Sequence, residues 1–305
     1  MKKKLLTVLG LTGTAVIAVT IAGYKLIEYA CKRPKKNDRK LKDMPEEYLE
    51  WYNKQRLEDL EITSYDGLKL KAKLLRNDSN KVLIAVHGYH SHHLYEYAYY
   101  LKFYYDIGFS ILMPNNRAHG DSEGTWVGFG WLDRLDIMKW IDYVKENVND
   151  SAEIVLHGIS MGSATVLNVS GEDIPDNVKC IISDCGFTSV YDQMLHVTKT
   201  KMKGAEYLMP IANVMSEKIT GYNFKKASSL EQVKKSKTPT LFIHGANDTY
   251  VPTEMGYKLY EACHADKELL IVPDAVHANS YFVHKDLCEE KIKDFIDKYV
   301  GVNEN

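Results

Sequence analysis

Six short apolar runs constrain this chain more than any other feature. Residues 82–86 (VLIAV), 109–113, 154–156, 178–182, 240–243 and 269–272 are apolar with little polar alternation, as expected of strands buried on both faces. Helix-length stretches separate most of them, at about 92–105, 130–147, 161–170, 253–264 and 283–299. In 130–147, Leu135, Ile137, Met138, Ile141 and Val144 make an inward stripe. Strands alternating with helices in this way predict a mostly parallel sheet covered on both sides. Ahead of it, residues 43–58 read as a short helix, and 60–63 and 68–74 alternate across Asp66-Gly67 as a hairpin. No internal repeat is present, so residues 43–305 read as one domain.

One connection is too long for a simple crossover. Between Asp184 and Lys237 lie more than fifty residues without a convincing strand, where a crossover needs about a dozen. Two helices are expected there, near 188–201 and 205–219, within an insertion at about 187–236. Met194, Met202, Met209 and Met215 give it an adaptable apolar surface. It either packs on the sheet or forms a cap lined by methionine over a pocket mouth.

Directly after the run at 154–156 stands HGISMG, with Ser160 between Gly158 and Gly162. A serine on a sharp strand-to-helix turn projects its hydroxyl from the sheet, and the flanking glycines leave room for the turn. The N–H of Met161 would then face an oxyanion on an attacked carbonyl, with Tyr89 N–H in HGYH (87–90) as the second donor. A serine hydroxyl needs a base, and the base an orienting acid. His277 and Asp248 each follow an apolar run, and the order Ser160, Asp248, His277 suits a triad on such a sheet. Asp274 is the rival acid. His87, His90, His92 and His93 lack the spacing of a zinc set, so neither metal nor cofactor is expected. Arg117 and Asp121, in NRAHGDSEG (116–124), read as holding the loops around the nucleophile. Tyr95, Tyr97, Tyr99, Tyr100, Tyr104 and Tyr105 read as core and amphipathic surface of one helix, with a platform for a ligand as the alternative.

These motifs, with SDCGFTS at 183–189, HGANDTYVP at 244–252 and VHANS at 276–280, resemble the α/β-hydrolase superfamily. Within it they are similar to the bacterial serine-hydrolase branch related to serine aminopeptidases and Bem46-type hydrolases. The resemblance covers roughly residues 60–300. It implies an α/β fold with an eight-stranded, mostly parallel sheet, helices on both faces and a small helical cap. It also implies a Ser160–His277–Asp248 triad, and it leaves the substrate open.

Residues 1–42, read as an apolar span followed by a basic linker, lie outside that resemblance. The stretch 5–23 holds nineteen uncharged, mostly apolar residues, enough to cross a hydrocarbon core as a helix. It is longer than an ordinary signal-peptide core and lacks a clean cleavage site, so a retained single-pass anchor in a bacterial cell membrane is expected. Residues 1–42 carry eleven basic and two acidic side chains, and the other 263 carry 28 and 39. The three lysines before the span would put the body outside, whereas the heavier positive flank after it favours the cytoplasmic face. The acidic body argues against nucleic acid as partner. Five scattered cysteines exclude a disulfide framework. The expected activity is hydrolysis of a carboxylic ester or thioester with a short to medium apolar acyl group, through an acyl-enzyme. An aminopeptidase or amidase, and a non-enzymatic membrane-tethered scaffold, are the alternatives. The sequence is silent on oligomeric state.

Overall fold

The computed structural model describes residues 2–33 and 46–301, the side chains of residues 2–15 and 93–95 excepted. Its centre is one eight-stranded sheet in the order β1-β2-β4-β3-β5-β6-β7-β8. The strands are β1 (Leu57–Thr63), β2 (Lys69–Leu75), β3 (Lys81–Val86), β4 (Ser110–Pro114), β5 (Glu153–Ile159), β6 (Val178–Asp184), β7 (Thr240–Gly245) and β8 (Lys267–Val272). β1 and β2 form an antiparallel hairpin, with Thr63 opposite Lys69 and Gly67 in the turn at φ 89°. β2 pairs antiparallel with β4, and every pairing from β4 through β3 to β8 is parallel. The α/β-hydrolase architecture expected from the motifs is therefore present.

Both faces of the parallel strands are buried because successive side chains alternate between two helical layers. Leu83 and Ala85 join a core with α3 (His93–Asp106) and, near the C-terminus, α11 (Lys285–Ile296). Val82, Ile84 and Val86 face α4 (Asp133–Tyr143) and α5 (Met161–Val169). In α4 the expected stripe is buried at Ile137 and Ile141, Trp140 joins it, and a π-helical turn at Val144–Val148 completes the run. α2 (Glu46–Asn53) packs on α3, and α9 (Thr253–Ala262) and α10 (Ser280–Val283) complete the loops beside the sheet.

The long β6–β7 connection is helical, as the spacing predicts. It holds α6 (Val190–Lys201), a 3-10 turn at Ala205–Leu208, α7 (Met209–Thr220) and a short α8 (Ser229–Val233). Ser189 caps α6 by accepting the Asp192 N–H at 3.0 Å. α7 carries Pro210 in its first turn and stops at Gly221, whose φ of 86° is a left-handed terminus. Met194 and Met209 are buried, and Met202 and Met215 pack against the same apolar cluster.

The N-terminal segment is one helix, α1 (Lys2–Cys31). Among the described residues no helix is long and apolar enough to cross a membrane. The expected span at 5–23 falls largely on residues whose side chains lie outside the description. Its last third does not behave as the free basic linker that the composition suggests. Leu26, Ile27 and Cys31 are buried in the cap cluster. Gly23 lies at the crossing with α7, where a Cβ would sit 2.9 Å from Ile211. Beyond the helix, Lys32 bridges to Trp126, and Arg33 donates from its guanidinium to the carbonyls of Ser122 and Gly120, both at 2.6 Å.

Candidate active site

The turn at the end of β5 is built by sterics. Ser160 adopts φ 56°, ψ −113° between β5 and α5, a region that costs a non-glycine residue about 1–3 kcal/mol. A Cβ on Gly158 would lie 2.1 Å from the carbonyl oxygen of Gly162, and one on Gly162 would lie 1.8 Å from that of Val86. No side chain fits at either position. Below the turn, His157 is enclosed by Tyr97, Tyr100 and Tyr104. Its Nδ1 lies 2.9 Å from the Tyr104 hydroxyl, and burial pushes its pKa down to about 3, so it stays neutral.

The structure brings Ser160, His277 and Asp248 together from three different strand ends. His277 Nε2 lies 2.9 Å from Ser160 Oγ, and His277 Nδ1 lies 2.7 Å from Asp248 Oδ2. With the proton on Nδ1 toward the carboxylate, Nε2 is free to accept from the serine hydroxyl. Asp248 also accepts the N–H groups of Tyr250 and Val251 through Oδ1, each at 2.9 Å. Burial pushes its carboxyl up, but hydrogen bonds from His244, His277 and the backbone outweigh this and hold it well below the usual range. Asp274, the rival acid, is exposed on the turn after β8 at φ 58°.

A cavity of about 490 Å³ opens over Ser160 and His277. Tyr89, named from the sequence as a backbone donor, lines it. Met161, the other named donor, is the first residue of α5, whose leading N–H groups have no acceptor within the helix. His90, Ser160 and Ala278 all line this cavity at positive φ, and strain of that kind clusters at functional sites. Sequence reasoning missed Glu96, Tyr250 and Phe282 in the lining and held Tyr99 and Tyr100 there only as an alternative. The signal for three of them was the spacing 96, 99 and 100, which puts them on one face of α3.

The remaining polar residues of the loops hold the backbone. Asn116 N–H donates to His87 Nε2 at 3.0 Å, and His90 N–H to His119 Nε2 at 3.2 Å. Arg117 is clamped between Asp136 and Asp66 by four hydrogen bonds. Asp121 is exposed. Among the described residues, the ligand-type side chains near enough to share a metal are Cys185, Asp248 and His277. Asp248 and His277 already face each other there. Burial raises the Cys185 thiol well above its ordinary value, which disfavours the thiolate a metal needs.

Comparison with known proteins agrees with this fold. The model of the prolyl oligopeptidase family matches residues 95–303. An uncharacterized Bacillus subtilis protein, YqkD, is 28% identical over 298 residues, covering 97% of each chain. An uncharacterized membrane protein of Saccharomyces cerevisiae, YNL320W, is 24% identical over 244 residues, 78% of this chain and 79% of its own. The solved structure of the Pyrococcus furiosus esterase PF2001 superimposes with a TM-score of 0.68 at 25% identity, covering 85% of this chain and 95% of that one.

Proposed function

The chain belongs to the prolyl oligopeptidase family of α/β-hydrolases, and on that premise we propose that it is a serine hydrolase cleaving a carboxylic ester or thioester of an apolar acyl group. The observation that carries the reading is the unbroken series of contacts from Ser160 Oγ through His277 to Asp248, 2.9 and 2.7 Å long, on the floor of an accessible cavity.

His277 takes the proton of Ser160 as the oxygen attacks the acyl carbonyl. The N–H groups of Met161 and Tyr89 stabilise the resulting oxyanion. Collapse expels the alcohol or thiol, which receives the proton from His277, and leaves the acyl group on Ser160. Water, deprotonated by the same imidazole, then releases the acid and restores the serine. Asp248 keeps the imidazole in its working tautomer and stabilises its positive charge. The likeness to the Pyrococcus furiosus esterase supports ester chemistry.

A second reading, cleavage of small peptides or amides, draws on the family's name and on Glu96. Its carboxylate borders the same cleft and accepts the Gly88 N–H. A carboxylate there offers a partner for a substrate's free amine. We also propose that the chain works at a membrane, with its catalytic body on the cytoplasmic face. The nineteen uncharged residues at 5–23 and the exposed Val16, Ile17, Val19 and Ile21 on α1 support that reading.

The test is turnover by the full chain and its Ser160→Ala variant on acyl esters, acyl thioesters and aminoacyl amides. Serine-dependent hydrolysis of esters or thioesters is expected. Preference for the amides would move the chain to the second reading, and turnover unaffected by Ser160→Ala would remove the triad.

A further inference from the structure

A second cavity, of about 420 Å³, lies between α1 and the cap. We propose that it is the channel for a long, unbranched acyl chain of the substrate, so that the N-terminal helix is one wall of the active site. The inference rests on the ester-hydrolase reading above and lengthens the acyl group that the sequence alone suggests.

Three observations carry it. The first is continuity: Tyr89, His90 and Tyr250 line both this cavity and the catalytic cleft, and the Tyr250 ring centres 4.9 Å from that of His277. A chain attached to the carbonyl at Ser160 passes between these side chains into the second space.

The second is chemistry. One wall is Leu26, Ile27 and Ala30 of α1, and the facing wall is Met194, Val197 and Met209 of the cap. Gln193 and Thr198 also line the cavity, but most of its wall is apolar, and a hydrocarbon chain has no polar atoms to desolvate there. Methionines adapt their shape to a flexible chain.

The third is direction. Exposed Tyr29 and Lys201 mark the outer edge of the cavity. On the preceding turns of α1, Val16, Ile17, Val19 and Ile21 are exposed, at positions spread around the helix. A helix apolar all round belongs in an apolar surrounding. Beyond these residues the outer side of α1 carries the Lys25–Glu28–Lys32 ion pairs, and it is the inner side, Leu26, Ile27 and Ala30, that offers an acyl chain an apolar wall.

The experiment compares Ala30→Trp, which fills the channel from α1, with Val197→Trp, which fills it from the cap, in the full chain. kcat/KM is measured on an acetate ester and on a laurate ester of the same alcohol. The laurate-to-acetate ratio is expected to exceed one in the unaltered chain and to fall about tenfold or more in each variant, as occlusion of an apolar pocket does. An unchanged ratio in both variants overturns the channel while leaving the hydrolase reading intact. If either variant fails to fold, the unaltered chain decides: a rate that rises from acetate to laurate supports the channel, and one that falls overturns it. A chain inert toward both esters, indistinguishable from Ser160→Ala, overturns the ester-hydrolase reading and the channel with it.

Discussion

The phenolic hydroxyl of Tyr89 donates a 2.6 Å hydrogen bond to the backbone carbonyl of Ala30. The loop after β3, which borders the nucleophile, is thereby tied to the last turn of α1. Replacing Tyr89 with Phe leaves that carbonyl without its partner and should lower stability by about 1 kcal/mol, read as a shift in the urea midpoint. Removing residues 1–33 should cost far more, because it uncovers Met209, Ala212 and Tyr222 in the cap cluster. A truncated chain as stable as the whole would mean that the α1 contacts contribute nothing.

The acid of the triad can be distinguished by amide substitution. Asp248→Asn keeps the shape but presents an amide to His277 Nδ1 and disturbs the tautomer. It should lower kcat by about 10⁴-fold, the order such a change has in a serine triad. Asp274→Asn, on its exposed turn, should change kcat by no more than about twofold, the scale of a surface change worth under 0.5 kcal/mol. Steady-state kinetics on one ester checks both, and the reverse ranking would reassign the acid.

The elbow glycines admit no methyl group. Gly162→Ala would force its Cβ into the Val86 carbonyl oxygen and Gly158→Ala into that of Gly162. Because backbone must move in either case, each should cost more than about 3 kcal/mol or prevent folding. Thermal unfolding with the midpoint of the unaltered chain would show that the turn can rearrange.

Asp133 gives a signed dependence on pH. It is wholly buried, with Oδ2 accepting the Gly130 N–H at 2.7 Å and Oδ1 without a hydrogen-bond partner. Burial first, and the neighbouring Asp136 second, push its carboxyl up to about 7 from an ordinary 3.8. Between those values the folded chain holds a proton that the unfolded chain has released, so stability falls as pH rises through this window and levels off above it. Asp133→Asn retains an acceptor and cannot ionise. The unaltered chain should therefore lose on the order of 3 kcal/mol more than this variant between pH 4 and pH 7. Parallel curves of urea midpoint against pH would show that Asp133 ionises alike in both states.

The parts of this protein that were legible in its sequence are those governed by neighbours along the chain. Runs such as 82–86 read as buried strands because alternate side chains must all be apolar when both faces are covered. The turn at Ser160 was legible because the clashes that exclude side chains at Gly158 and Gly162 arise within one strand-turn-helix unit and the strand beside it. The cap was legible only as an excess of residues between two strands.

Contacts between distant segments needed the fold. Chain order and loop context favour Asp248 over Asp274, but the contact itself, with His277 Nδ1 at 2.7 Å from Asp248, comes from the pairing of β7 with β8. Tyr99 and Tyr100 read as core, yet they also line the cleft because α3 presents one edge to it. The last third of α1 reads as the end of an apolar span and the start of a basic linker. Its burial depends on α7, some 190 residues later, and on the loop carrying Trp126. Local sterics and hydrophobic period are written in adjacent residues, whereas the surface that a helix finally covers is fixed by whichever apolar face the rest of the chain leaves open to it.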